Sequence, residues 1–239
     1  MKDGILLIDK PAGWTSFDVV AKVRSILKKS QTPTPISQPP FPKPKVGHTG
    51  TLDPFATGLL ILTVGKATKR AQEFSKLDKV YEATVELGKT SSTGDPEGVL
   101  TEVKAWVPDA SEVHSALNKF IGETMQTPPM YSAIKIGGQR AYKLARKGQT
   151  AEIEPRKVTI YSLELISYNY PDLKIRAHVS SGTYIRTLAE DIGKALATGA
   201  YTKELRRTKV GDYDVKNAHK INFLTEANIL NHLTKLDLT

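Results

Sequence analysis

Twelve consecutive residues, Gly47-His48-Thr49-Gly50-Thr51-Leu52-Asp53-Pro54-Phe55-Ala56-Thr57-Gly58, combine three glycines, a histidine and an Asp-Pro step directly ahead of an apolar run. Glycine at that density lets the main chain pack tightly, so the segment holds one carboxylate, Asp53, at a fixed spot. An ionised carboxylate so held can act as a nucleophile or steady a cationic centre. The residue types alone also fit a simpler reading, because Asp ahead of Pro commonly initiates a turn.

Other chemistries find no support. The chain has no cysteine, which excludes a thiol nucleophile, thiolate zinc sites, iron–sulfur clusters and a disulfide scaffold. Its five histidines (His48, His114, His178, His219 and His232) are scattered and form no zinc-ligand pair. No Gly-x-Ser-x-Gly elbow occurs. Gly58 to Gly65-Lys66 imitates a phosphate loop, but six apolar-rich residues separate the glycines, and a strand followed by a turn is expected instead. A basic cluster is better defined: Lys135, Arg140, Lys143, Arg146, Lys147, Arg156 and Lys157 stand against Glu152 and Glu154, with Tyr131 and Tyr142 in or beside them. Cations that neutralise phosphates and aromatic faces for unpaired bases suit RNA, although a solvated surface has the same composition.

The elements that must position these groups follow from periodicity. Ile5–Ile8 reads as a short buried strand ending at the turn Asp9-Lys10-Pro11-Ala12-Gly13. Thr15-Ser16-Phe17-Asp18 has the capping-box form and opens a helix with Phe17, Val20, Val23 and Leu27 on its apolar stripe. Gly58–Gly65 encloses a strand buried on both faces. Tyr81, Ala83, Val85 and Leu87 alternate with Val80, Glu82, Thr84 and Glu86, which predicts a half-buried strand. Val113, Leu117, Phe120 and Ile121 predict a helix opened by Asp109 or Ser111. Tyr161, Leu163 and Leu165 alternate, as do Leu173, Ile175, Ala177 and Val179, giving two more strands. Ile185, Leu188, Ala189, Ile192 and Leu196 form a third helical stripe, and Leu224 to Leu236 reads as a helix-like tail. Strands and helices without regular alternation predict an α+β fold with a largely antiparallel sheet, in one domain over residues 1–239.

The chain has 239 residues, with 34 Lys plus Arg against 25 Asp plus Glu, a formal charge of +9. At 39% apolar and 25% charged it has a globular composition. The basic balance favours an anionic partner. No apolar run is long enough to cross a bilayer as a helix, and no signal-peptide core fits, so a soluble intracellular protein is expected. Six of the 14 prolines fall between Thr32 and Pro44, predicting a proline-rich loop at about 31–45.

The Gly47–Gly58 segment resembles the catalytic motif of the TruB family, the bacterial tRNA pseudouridine-55 synthases. The remaining family motifs follow in order. Asp9-Lys10-Pro11-Ala12-Gly13-Trp14-Thr15-Ser16 resembles the opening motif, and Asp78-Lys79-Val80-Tyr81 the tyrosine motif. Gly88-Lys89-Thr90 through Asp95 is similar to the stretch after it. Gln126-Thr127-Pro128-Pro129-Met130-Tyr131-Ser132-Ala133 with Gly138-Gln139-Arg140-Ala141-Tyr142 resembles an RNA-gripping thumb loop, at about 124–156. Ser181-Gly182-Thr183-Tyr184-Ile185-Arg186 resembles the arginine motif, and Leu205-Arg206-Arg207 the late leucine motif. The proline-rich loop looks inserted relative to the family. No separate C-terminal RNA-binding domain of the PUA type is expected.

The resemblance implies a pseudouridine-synthase fold and a cytoplasmic, monomeric isomerase. Its substrate would be the TΨC-loop uridine in the T arm of tRNA, with no cofactor, metal or membrane involved. It makes Asp53 the nucleophile on a flipped-out base, with Arg186 the cation that keeps the carboxylate ionised and Tyr81 a residue that stacks on the base and handles a proton. It gives His48, Lys69, Tyr184 and Leu205 substrate-binding places, and makes Lys10 and Pro11 props of the site floor. The alternative is a tRNA-binding or folding helper whose catalysis is incidental.

Overall fold

An unbroken apolar run makes the central strand. Thr57–Val64 is buried along almost its whole length, as expected of a strand covered on both faces. The computed structural model describes residues 3–30, 43–104 and 106–236. In chain order the strands are β1 (Gly4–Lys10), β2 (Val46–His48), β3 (Thr57–Val64), β4 (Lys79–Leu87), β5 (Lys89–Ser91), β6 (Leu100–Glu102) and β7 (Gly122–Gln126). They continue with β8 (Lys135–Ile136), β9 (Gln139–Arg140), β10 (Arg156–Asn169), β11 (Asp172–Val179), β12 (Ala200–Val210), β13 (Tyr213–Asp214) and β14 (His219–Lys220). The α-helices are α1 (Ser16–Lys29), α2 (Ala71–Ser75), α3 (Ala110–Asn118), α4 (Ala141–Ala145) and α5 (Ile185–Ala195). The fold is α+β, and apart from the parallel pair β1–β14 the paired strands whose registers are described run antiparallel.

Two compact units divide the chain. The first comprises Met1–Leu77 and Arg207–Thr239, the second Asp78–Arg206, with the boundary inside β12. In the first, the strand order is β14-β1-β3-β12, with β2 added to β3 and β13 to β12. One face is filled by Ile5, Leu59, Ile61, Phe74 and Val210. Helix α1 packs on β2. Both halves of its capping box form between Thr15 and Asp18. The apolar stripe is Val19, Val20, Val23, Ile26 and Leu27, whereas Phe17 is 65% exposed. Val20, Val23 and Leu27 are buried as expected, but Phe17 is not: Ser16, three before Val19, turns inward in its place.

In the second unit the order is β12-β4-β11-β10-β7. Leu173, Ile175, Ala177 and Val179 line the buried face of β11, and α5 buries Ile185, Leu188, Ala189 and Ile192. Three expectations are corrected here. Strand β4 is buried on both faces from Ala83 to Leu87, because Thr84 Oγ1 donates to Glu204 and the Glu86 carboxylate is satisfied by Tyr201, Lys89 and Lys203. Tyr161 does not share the inward face of Leu163. A register shift between Ile160 and Ser162 turns it outward, 51% exposed. The second helix ends at Asn118, leaving Ile121 exposed, with Asp109 as its N-cap.

The tail is not helical. It forms 3₁₀ turns at Ile221–Phe223 and Ile229–Asn231 and an antiparallel bridge from Thr234 to Ile5. There His219 and His232, distant in sequence, bring their rings to 4.1 Å between centroids. Residues 31–42, most of the proline-rich segment, lie outside the described residues.

Candidate active site

In the first unit, the Asp53 segment connects two paired strands. Strands β2 and β3 pair Val46 with Val64 and His48 with Leu62, so residues 49–56 form the connection of a short antiparallel pair whose stems are fixed. The turn reading of Asp53-Pro54 holds as local structure: Ala56 N–H donates to Asp53 O at 3.1 Å. Both neighbours of Asp53 are pinned. Leu52 N–H donates to Ser16 Oγ at 2.8 Å, and that hydroxyl lies 3.1 Å from Leu52 O. Pro54 O accepts from Gly13 N–H at 2.9 Å and from Lys10 Nζ at 3.2 Å.

Lys10 is fully buried, and its ammonium also donates to Pro11 O and Trp14 O. Three carbonyls in place of water make a buried ammonium tolerable, and they draw the turn after β1 against the carboxylate loop. Lys10 thereby holds Pro11, Trp14 and Pro54 together beneath the loop. Asp53 itself is half-buried.

His48 ends β2 on the rising side of the loop. Burial first, and the Arg207 charge second, hold its imidazole below the ordinary value, which favours the neutral ring. Its Nδ1 is buried without a hydrogen-bond partner among the described residues. Lys69 is exposed on the 3₁₀ turn Gly65–Arg70 that follows β3. The strand-then-turn reading of Gly58 to Lys66 is thus correct.

The second unit carries Tyr81, Tyr184, Arg186 and Leu205. Tyr81 lies near the start of β4, opposite Ala177 of β11, half-buried where the strand face leaves the core of Ala83, Val85 and Leu87. The adjoining Asp78 is hydrogen-bonded to His178 Nε2. Arg186 is not an exposed helix cation. It is buried in the first turn of α5, where Nη1 donates to Thr93 O at 2.9 Å and to Asp95 Oδ2 at 3.2 Å, and Nη2 to Tyr131 O at 2.7 Å. Tyr184, the residue before α5, is held by a side-chain amide used as a strand would be: Gln126 Nε2 donates to Tyr184 O and Oε1 accepts from Tyr184 N–H, at 3.0 and 2.7 Å. Leu205 is buried on β12.

Asp95, Gln126 and Arg207 were not singled out by residue-level reading. Both Asp95 and Gln126 lie inside quoted motifs, and the signal available is a polar residue in a Gly/Pro-rich turn for Asp95 and at the end of β7, ahead of two prolines, for Gln126. Arg207 shares a strand face with Leu205 by the two-residue period, which was the clue to its burial.

Between β7 and β10 the chain makes a small hairpin, β8–β9, whose two-residue turn Gly137-Gly138 has φ of 54° and 83°. Those angles favour glycine at both turn positions. Helix α4 follows. Lys135, Arg140, Lys143, Arg146, Lys147, Arg156 and Lys157 are all exposed on this segment. Arg146 lies over the Tyr142 ring at 5.6 Å, and Lys157 pairs with Glu123. Among the described residues no group of His, Cys, Asp or Glu gathers in a metal-binding arrangement, and no helix is long and apolar enough to cross a membrane.

Comparison with known proteins gives a consistent result. Residues 39–185 match the model of the TruB family pseudouridylate synthase N-terminal domain, and residues 186–237 that of the tRNA pseudouridylate synthase B C-terminal domain. The chain is 45% identical over 225 residues to tRNA pseudouridine synthase B of Burkholderia lata, covering 94% of this chain and 66% of that protein. It is 44% identical over 238 residues to tRNA pseudouridine synthase B of Aquifex aeolicus, covering 98% and 78%. Among solved structures, a chain of a Cbf5-Nop10-Gar1 complex superposes with a TM-score of 0.67 at 30% identity, covering 92% of this chain. The present chain spans about half, 52%, of that one.

Proposed function

Because the chain belongs to the TruB family of pseudouridylate synthases, we propose that it isomerises the T-loop uridine of tRNA, position 55, to pseudouridine, with Asp53 as the nucleophile. The observation that carries this reading is the pinned loop: within the segment matched to the family, Leu52 and Pro54 on either side of Asp53 are held by Ser16, Gly13 and Lys10. A carboxylate whose main chain is fixed on both sides is presented in one geometry, which is what a near-attack arrangement needs.

The chemistry balances without a co-reactant. The bond from N1 of uracil to C1′ of the ribose breaks, a bond from C5 to C1′ forms, and one proton moves from C5 to N1. The target base must leave its stack before a side chain can reach it. In this reading Arg186 supplies the charge that keeps the carboxylate ionised, and Tyr81 stacks on the base and handles the proton. His48, Lys69, Tyr184 and Leu205 contact the displaced nucleotides. The exposed basic segment at 124–156 serves as a thumb on the T arm, and the chain works as a single catalytic domain, a monomer in the cytoplasm.

The test is incubation of the purified protein with an unmodified T-arm stem-loop and chemical detection of pseudouridine. Product is expected from the wild type. Asp53→Asn should leave RNA affinity within a few-fold and reduce turnover below about one part in a thousand. Tight binding with no product from the wild type would instead favour an RNA-binding helper.

A further inference from the structure

Arg207 is buried to 2% exposure, and its guanidinium spans the loop that carries Asp53. Nη2 donates to Gly50 O at 3.0 Å and Nη1 lies 3.5 Å from Thr51 O, on the stem before Asp53. Nε donates to Leu59 O at 2.8 Å, on the stem after it. Gly58, with φ 103°, closes onto the same residue: a Cβ there would stand 2.2 Å from Arg207 O. All the hydrogen bonds of Arg207 among the described residues go to main-chain carbonyls, and it forms no ion pair there. A buried guanidinium without a carboxylate is poorly suited to stability alone, since an apolar side chain would fill the place without desolvating a charge. What the fork adds to the β2–β3 pairing is a tie from the Gly50–Thr51 side of the loop to Leu59 on β3.

We propose that Arg207 is a positioning residue for Asp53, joining both stems of the catalytic loop so that it governs the rate of the chemical step and not the affinity for RNA. The proposal rests on the assignment of Asp53 as nucleophile. Displacing a reacting group by an ångström costs roughly 100-fold in rate, and a guanidinium replaced by an apolar chain releases the Gly50, Thr51 and Leu59 carbonyls at once.

The experiment uses the full chain with Arg207→Met and Arg207→Lys, an unmodified T-arm stem-loop, and amide hydrogen exchange over residues 49–59 without RNA. Arg207→Met should slow single turnover about 100-fold with Kd within about threefold, and should speed exchange of the loop while leaving β4 and β11 unchanged. Arg207→Lys, which keeps the charge and loses the fork, should fall between. A folded Arg207→Met reacting at the wild-type rate overturns the proposal, as does a loss of rate that only tracks the unfolded fraction. If Arg207→Met does not fold, Arg207→Lys decides: a slower reaction at unchanged Kd supports the role, and a wild-type rate removes it. If the wild-type protein makes no pseudouridine, the assigned reaction fails, while the exchange data still read whether Arg207 holds the loop.

Discussion

Arg186 Nη1 lies 3.2 Å from Asp95 Oδ2, and both side chains are sealed from solvent at 3% and 6% exposure. The other carboxylate oxygen is occupied as well, accepting from Thr93 Oγ1 at 2.6 Å and Glu97 N–H at 3.0 Å. Asp95 therefore ties its own turn to the first turn of α5. Asp95→Asn retains an acceptor but removes a carboxylate charge from beside a buried guanidinium, which should cost about 3 kcal/mol. Urea unfolding should register that loss, and a change under about 1 kcal/mol would mean that the Arg186–Asp95 pair contributes little to stability.

Ser16 and Phe17 make a contrasting pair on α1. Ser16→Ala removes the hydroxyl between Leu52 N–H and C=O in a buried place, so unfolding free energy should fall by about 1–3 kcal/mol. Phe17→Ser should change it by less than about 0.5 kcal/mol, since the ring is largely in solvent. Equal effects in denaturant melts would contradict the observed phase of the helix.

Acid should weaken the native state partly through His48. Its folded imidazole titrates below the ordinary value of 6.5, chiefly through burial and secondly through Arg207. The unfolded chain takes up the proton first, so stability is lost as pH falls through that ordinary value, and the loss stops once the folded ring is itself protonated. His219, lowered by burial and then by His232, acts in the same direction. His48→Gln should narrow the stability difference between about pH 7 and about pH 5 without abolishing it. An unchanged difference in urea titrations would show that His48 charges freely in the folded protein.

Neutralising Arg140, Lys143, Arg146 and Lys147 together should weaken RNA binding more than it slows the bound-state reaction. All four are exposed, on or just after β9 and α4. Each phosphate that no longer meets a cation should reduce the log–log salt slope by about 0.7–0.9. A slope equal to the wild type would return these charges to an ordinary solvated surface.

Local rules read part of the site well. The Asp-Pro turn, the Thr15–Asp18 capping box and the inward residues of β11 are set within a few neighbours, and all three form as expected. What escaped depends on partners far along the chain. Tyr161 alternates correctly with Leu163 until a register shift inserts a residue, and that shift belongs to the pairing with β11. Glu86 resembles a solvent-facing acid until Tyr201 and Lys203 arrive beside it from β12. Arg207 resembles a surface cation because its burial is dictated by carbonyls 148 to 157 residues earlier.

The split of the first unit into Met1–Leu77 and Arg207–Thr239 has a consequence during translation. A ribosome delivers Asp53 early, but Arg207, whose guanidinium binds Gly50 O and Leu59 O on either side of it, only after the entire second unit has been made. The second unit can complete its own packing while the first still lacks Arg207–Val210 of β12 and the strands after it, inverting the usual order in which the N-terminal part matures first. A nascent chain stalled before residue 207 thus carries the Asp53 loop without the Arg207 hydrogen bonds to Gly50 O and Leu59 O.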